Sequence, residues 1–232
     1  MNDMLPDIAG LLRELPLFRE MDSAALERLA LGAIAVDARG KSIIYARGDA
    51  YRGLYAVVSG QVKLALEAVQ GGEHVVELVG PGGTFGETAL FLDSPHMLMT
   101  AQALTDSRLI CISRAVLVAE LDRATELSRG IIKILSHRLR GLIQALEDCT
   151  LRNGRERVVG YLLNRLPPEA AQGRASVTLP AQKGVIASQL NLTQEHFSRI
   201  LHALVAAAVI KVDGRTVHIH DIGQLRANGM RI

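Results

Sequence analysis

The sequence has no tryptophan, four phenylalanines and four tyrosines, so aromatic side chains make up only 3% of its 232 residues. That leaves few of the stacking platforms on which single-stranded nucleic acids are held. Cysteine is nearly as scarce. Cys111 and Cys149 are too few for a disulfide scaffold or a four-cysteine metal site, which points to a reduced, cytoplasmic setting. No apolar run approaches the roughly 18 residues of a membrane span, and Met1 to Asp7, with two acids, does not read as a signal peptide. Nor does either sign of charge dominate: 26 Lys+Arg face 24 Asp+Glu, a formal net of +2. What is present is ordinary globular composition, 49% hydrophobic and 22% charged, on a chain long enough for two modest cores.

The average charge conceals a split. Residues 1–149 carry 15 Lys+Arg and 19 Asp+Glu, a net of −4, whereas the 83 residues from Thr150 carry 11 and 5, a net of +6. A basic C-terminal part on an acidic larger part is expected when only one of them meets nucleic acid.

Periodicity divides the chain further. From Pro6 to Leu31 the pattern is helical, with Leu11, Leu12 and Leu15, then Leu26, Leu29 and Leu31 after an Asp22-Ser23 start signal. Between about Ala33 and Ser113, short apolar runs (Ser42–Tyr45, Leu54–Val58, Val62–Leu66, Val75–Val79, Leu109–Ile112) alternate with glycine turns such as Ser59-Gly60 and Pro81-Gly82-Gly83. Strands so spaced predict an antiparallel barrel or a double-sheet roll. After Arg114 the period lengthens. Ile132, Leu135, Leu139, Leu142, Leu146 and Cys149 are spaced 3, 4, 3, 4, 3, the seam of a helix that pairs with an identical one. Residues 1–120 are thus expected to form one domain, 121–150 a dimerisation helix and hinge, and 151–232 a second domain.

In that second domain Val158–Leu166 is amphipathic and stops at Pro167-Pro168, Gln182–Leu190 is followed by Asn191-Leu192, and Thr193–Ala208 opens with Thr as N-cap. Val209–Val212 and Thr216–His220 flank Asp213-Gly214, a hairpin signal. Two helices with a tight turn and then a hairpin make a winged helix-turn-helix. On its second helix Phe197, Ile200, Leu201 and Leu204 form an inward stripe. Glu195, Ser198, Arg199 and His202 share the opposite face, with Thr193 and Gln194 at the helix start. Arg199 can donate two hydrogen bonds to guanine, Glu195 can accept from cytosine N4, and Ser198 suits a base edge or a phosphate. The competing reading is a solvated face with an i,i+4 Glu195–Arg199 pair. Behind a helix and turn of the right length, on a +6 domain, DNA recognition is the stronger of the two.

At this point the chain resembles the cyclic-AMP receptor / fumarate-nitrate reductase regulator (CRP/FNR) superfamily of bacterial transcription factors over essentially its whole length. The matching segments are Tyr45-Ala-Arg-Gly-Asp49, Leu54-Tyr-Ala-Val-Val-Ser-Gly-Gln-Val-Lys-Leu64, Gly80-Pro-Gly-Gly-Thr-Phe-Gly-Glu87, Ile186-Ala187 with Leu190, and Thr193-Gln-Glu-His-Phe-Ser-Arg199. The resemblance implies an α+β fold: an N-terminal cyclic-nucleotide-binding-type β-roll (jelly roll), a long dimer helix and a winged helix-turn-helix. It implies a homodimer, duplex DNA and RNA polymerase as partners. Glu195, Ser198 and Arg199 match the oxygen-sensing branch, which reads a TTGAT-N4-ATCAA palindrome.

The effector is argued by subtraction. Phe85, Gly86, Glu87, Met97, Met99 and Thr100 occupy the places of the family's effector pocket, Gly86-Glu87 matching the loop that can hold a ribose hydroxyl. The Arg-Ser/Thr pair of the family's cyclic-AMP binders reads Met99-Thr100 here, and no Lys or Arg stands between Thr88 and Ser107. A buried phosphate without a cation is costly, which speaks against cyclic AMP and leaves Glu87 to cap backbone donors. A cation could still arrive from the dimer helix, as Arg138 or Arg140. The iron–sulfur branch needs an N-terminal cysteine cluster, and no cysteine precedes Cys111. Cys111, in an apolar strand, and Cys149, on the seam, read as buried inert thiols. The family's haem-dependent CO sensor places Cys and His where Gly86–Thr88 stand here. What remains resembles the nitric-oxide-responsive regulators of denitrification, around Phe91-Leu-Asp-Ser-Pro95 and Thr100-Ala-Gln102. That resemblance suggests a haem between roll and dimer helix. His74, His96, His137, Met97 and Met99 are available ligands, with no spacing to single one out. His218 and His220, on one face of the wing, suit phosphate or solvent rather than metal. A regulator answering a cyclic nucleotide or another small organic ligand is the nearer alternative. A β-roll enzyme is the distant one, because the chain has no phosphate loop, convergent metal motif or nucleophile–base pair.

Overall fold

A computed structural model describes residues 7–67, 71–93, 95–167, 169–170 and 172–229. The chain divides into two compact units, residues 1–139 and 140–232.

The first unit opens with helices α1 (Ile8–Glu14) and α2 (Ser23–Leu31), started by the carboxylates of Asp7 and Asp22, which accept from Gly10 N and Ala25 N. The helical pattern expected from Pro6 therefore begins at Ile8, Pro6 itself lying outside the described residues. Eight strands follow: β1 (Ala33–Ala38), β2 (Ile43–Tyr45), β3 (Gly53–Ser59), β4 (Val62–Glu67), β5 (Glu73–Val79), β6 (Thr84–Phe85), β7 (Thr100–Ala103) and β8 (Ser107–Ser113). They pair antiparallel into two four-stranded sheets, ordered β1-β8-β3-β6 and β2-β7-β4-β5, the double-sheet roll. The five apolar runs each fall on a strand. Strands β1, β6 and β7 were not legible as runs, because β6 has two residues and β7 reads Thr-Ala-Gln-Ala. At Gly53 a Cβ would stand 1.9 Å from the Ile112 carbonyl oxygen, so only glycine lets β3 lie this close to β8.

Helix α3 (Arg114–Leu121) is fastened to α2 by a two-point ion pair, Arg28 Nε to Glu120 Oε2 at 2.8 Å and Nη2 to Oε1 at 2.7 Å. The hydrogen bonds from Arg28 hold the Glu120 carboxyl below the usual glutamate range. A lowered folded-state pKa gives stability that is complete above the unfolded value and fades as pH falls through the folded one. Urea unfolding is therefore expected to show a loss of stability below about pH 4.3, the unfolded glutamate value. In Glu120→Gln this loss should be smaller and the protein weaker already at pH 7; an unchanged acid slope would exclude the pair as its source.

Helix α4 (Thr125–Leu151) is 27 residues long and changes character along its length. Leu127 and Ile131 are buried in a core with Phe18, Leu26, Leu29, Leu54, Ile110, Ile112 and Leu117. Leu135, expected on the seam, is partly buried against the same core. Ile132, Leu139, Leu142, Ile143 and Leu146 are more than half exposed. Cys149 is exposed as well, so of the two thiols only Cys111 is buried within the chain.

In the second unit α5 (Gly154–Leu163) starts four residues earlier than its apolar pattern suggests. Asn153 forms a capping box with Glu156, its side chain accepting from Glu156 N at 3.0 Å while Glu156 accepts from Asn153 N at 2.8 Å. The expected stop at Pro167-Pro168 falls partly outside the described residues. Helices α6 (Lys183–Gln189) and α7 (Gln194–Ala206) follow strand β9 (Ala175–Thr178). Strands β10 (Ile210–Asp213) and β11 (Thr216–Ile219) form the anticipated hairpin, with Gly214 in the left-handed region at φ 56°. The wing has more than a hairpin. Strand β9 completes a sheet ordered β10-β11-β9, and a helix α8 (Ile222–Gly229) packs on α5.

Candidate nucleic-acid interface and effector site

Helices α6 and α7 are joined by a turn in which Asn191 takes φ 53° and Leu192 N donates to Ala187 O at 2.9 Å. Gly184 permits the close crossing, since a Cβ there would meet Gln194 Oε1 at 2.7 Å. Phe197, Ile200, Leu201 and Leu204 are buried, as the inward stripe requires. On the other side Gln194, Glu195, Arg199 and His202 are exposed and Ser198 is half-buried. Thr193, also exposed, is the N-cap, its Oγ1 accepting from His196 N at 3.2 Å. No ion pair joins Glu195 to Arg199 among the described residues, so the guanidinium fork stays available. On the wing, His218 Nδ1 lies 2.9 Å from Ser176 Oγ, and His220 Nδ1 donates to Ala208 O at 2.9 Å. Both rings are thus held by hydrogen bonds to the protein, with exposed Lys211 and Arg215 nearby in sequence.

Aromatic and apolar side chains pack together inside the roll. Tyr55 and Phe85 stack with centroids 5.1 Å apart, and Tyr45 tilts against both at 5.5 and 5.9 Å. Met97 is buried with them and Met99 packs alongside. Burial pushes the phenols of Tyr45 and Tyr55 and the thiol of Cys111 upward, as expected of an inert thiol. Thr100 does not join this group. In the β7 alternation it faces away from buried Ala101, accepting from Arg47 N at 3.0 Å and donating to Glu67 at 3.3 Å.

Gly86 and Glu87 stand apart from the apolar set. Gly86 takes φ 98°, with the Gly53 carbonyl oxygen 2.9 Å from where a Cβ would be, and so turns Glu87 inward. The Glu87 carboxylate is wholly inaccessible. Instead of capping backbone donors, it is ion-paired to Arg138 of α4. The same guanidinium bonds Glu77 through Nε at 2.8 Å and donates from Nη2 to the Thr84 carbonyl at 2.6 Å. Of the two cations considered for this pocket, Arg138 is the one that arrives.

Beside Arg138 runs a groove of about 630 Å³, between the Gly80–Thr84 loop, the Pro16–Leu17 segment and α4. Leu17, Val79, Pro81 and Ile134 give it apolar surface; Arg129, Lys133 and His137 line it at successive turns of α4. At about 100° per residue these three are centred roughly 100–120° round α4 from Ile132 and Leu139. Gly130 sets the closeness of the wall, a Cβ there meeting Leu17 Cδ1 at 2.6 Å. Of the five suggested haem ligands, His74 belongs to β5 opposite Leu66, His96 forms a bridge with Ala50, and Met97 and Met99 belong to the interior. Only His137 lines the groove. The groove thus offers one imidazole and two cations on α4 over an apolar floor, with Glu20, Glu77 and Glu126 also on its lining.

Comparison with known proteins bears on both units. Residues 36–124 match the cyclic nucleotide-binding domain, and residues 156–228 match the Crp-like helix-turn-helix domain. The chain is 30% identical to the cyclic AMP receptor protein of Thermus thermophilus over 187 residues, 81% of this chain and 83% of that protein. The chain belongs to the CRP/FNR family of transcription regulators. Other CRP/FNR relatives are the CRP-like cAMP-activated global transcriptional regulator of Mycobacterium tuberculosis and the fumarate and nitrate reduction regulatory protein of Vibrio cholerae. Each is 26% identical, over 90% and 78% of this chain and 94% and 73% of the respective relative. The CRP/FNR fold is shared with a CooA mutant from Carboxydothermus hydrogenoformans, TM-score 0.77, 18% identical, covering 99% of this chain and 97% of that one. Among the described residues no helix is long and apolar enough to cross a membrane, and no three His, Cys, Asp or Glu gather as a metal site.

Proposed function

We propose that this DNA-binding regulator works as a homodimer reading a TTGAT-N4-ATCAA-like palindrome, with RNA polymerase as its further partner in the cytoplasm. The observation that carries the reading is the α7 face of exposed Glu195 and Arg199 with half-buried Ser198 between them, backed by a buried apolar stripe. Those residues match the family's oxygen-sensing branch. The dimer rests on the exposed leucines of α4, whose 3,4 spacing suits a second copy. Half-sites read by such a dimer lie about 34–36 Å apart, one helical turn. The division into roll (1–120), dimer helix (121–150) and DNA-binding domain (151–232) goes with this reading.

Arg199→Ala is expected to cost about 1–3 kcal/mol in specific binding and to relax selectivity at one G·C pair. Mobility-shift titrations on the palindrome and on a variant half-site measure both. Equal loss on scrambled DNA would show that Arg199 contacts only phosphate.

For the effector, the resemblance to nitric-oxide-responsive regulators around Thr100–Gln102 favours haem-mediated sensing; Phe91–Pro95 includes Ser94, which lies outside the described residues. His137 would ligate the iron and Arg129 and Lys133 would hold the propionates; the bound haem supplies the iron that takes up nitric oxide. Haemin titration of the purified protein is expected to give a saturable Soret band that is weakened in His137→Ala. If the band is unaltered in that variant, His137 is not the ligand.

A further inference from the structure

We propose that the end of the roll where β3 begins and β8 ends binds a small apolar monocarboxylate, of the size of benzoate, through Arg52. The strand register explains why there is space for it. Ile34 on β1, Cys111 on β8 and Tyr55 on β3 stand opposite one another in a single row across the sheet. In the next row on that face, two residues along, Ser113 has Gly53 on one side and donates from its backbone N to the Gly32 carbonyl at 2.8 Å on the other. Two glycines and a serine leave this row without bulk. A cavity of about 220 Å³ remains over it, bounded by Ile44 from the other sheet. None of its lining residues belongs to the groove beside α4, so the two spaces are separate.

The polar groups of the cavity suit an anion. Arg52 lines it, is itself exposed, and has no ion pair among the described residues. The acid nearest to it in sequence, Asp49, accepts from Ala46 N at 2.9 Å instead. Ser113 takes the N-cap position of α3, but its side chain makes no capping hydrogen bond, which leaves a hydroxyl to donate to a ligand. Burial pushes the Cys111 thiol upward, so at neutral pH it carries no charge to compete for Arg52. The remaining walls are Ile34, Val36, Ile44 and Tyr55. One cation and one hydroxyl beside apolar walls match a single negative charge on an apolar body, and the planar guanidinium fork meets a carboxylate at two points. Size sets the other limit: a cavity of about 150 Å³ holds benzene, so 220 Å³ takes a six-membered ring with its carboxylate.

The test titrates the full-length protein with sodium benzoate and, in a parallel series, with sodium hexanoate, which separates aromatic from aliphatic acids. Calorimetry is expected to show one site per chain for at least one of them. The dissociation constant should be about 0.1–1 mM, ordinary for eight or nine heavy atoms in a small pocket. Benzamide, of similar shape without the charge, should bind about tenfold more weakly than benzoate. Arg52→Met should weaken the acid about tenfold while melting within a few degrees of wild type, because the side chain is exposed. Val36→Phe, which fills the cavity, should abolish binding; if it does not fold, Arg52→Met decides. Amide NMR shifts caused by the acid should centre on Ile34, Ile44, Arg52, Cys111 and Ser113. The proposal is overturned if neither acid binds at about 10 mM. It is equally overturned by unchanged affinity in Arg52→Met, or by shifts centred on Arg129 and His137 in the groove.

Discussion

Replacing Leu139, Leu142 and Leu146 together with Gln is expected to turn the dimer into monomers and to weaken binding to the palindrome about 10²–10⁴-fold. All three side chains are more than half exposed in the single chain, so they contribute little to its own core. In a paired helix each would be covered, at roughly 1.5–3 kcal/mol for a leucine fully removed from water. Six such side chains per dimer are lost in the triple variant. Glutamine is itself a good helix former, so α4 should persist. Sedimentation gives the mass, circular dichroism the helix content, and a mobility shift the affinity for one and for two half-sites. The informative pattern is a folded monomer that binds a single half-site as the parent does and has lost the gain from the second. A triple variant that remains dimeric would place the interface elsewhere.

That prediction was open to the sequence because a seam is a local repeat, visible without knowing what it meets. The same holds for α7, where Phe197, Ile200, Leu201 and Leu204 mark the buried side and leave Glu195 and Arg199 opposite. Strands bounded by glycine turns were equally plain. Local periodicity fails where an element is short or its neighbours are distant. Strand β6, with two residues, carries no pattern of its own, and β9 and α8 are recognised only by the sheet and helix they complete. Leu135 has the seam's spacing but is drawn toward the chain's own core, a distinction that spacing cannot make. Thr100 falls in the family's pocket by alignment, yet the β alternation turns it away. The role of Glu87 depended on a partner far along the chain. Arg138 is 61 residues from Glu77 and was only one of two cations on the helix within consideration.

The largest effect on stability is expected from separating that pair. Arg138→Met alone leaves the inaccessible Glu87 carboxylate without its cation, and breaking a buried ion pair in this way costs about 3–5 kcal/mol. The Thr84 carbonyl loses its donor at the same time, and Glu77 loses a partner it can replace with water. Glu87→Met alone should cost less, because Arg138 keeps Glu77 and the Thr84 carbonyl, and its side chain already has a path to the groove. Glu87→Met/Arg138→Met should recover most of the loss, since two buried charges are replaced by apolar groups of similar length. A urea double-mutant cycle reads the coupling directly: the two single costs should sum to well over the cost of the double. Additive costs would mean that Glu87 and Arg138 do not stabilise one another, and the pocket would then have to be held by its aromatic packing alone. The expected coupling makes the clamp on α4 an electrostatic one, its Glu87 end wholly inaccessible and correspondingly little weakened by salt.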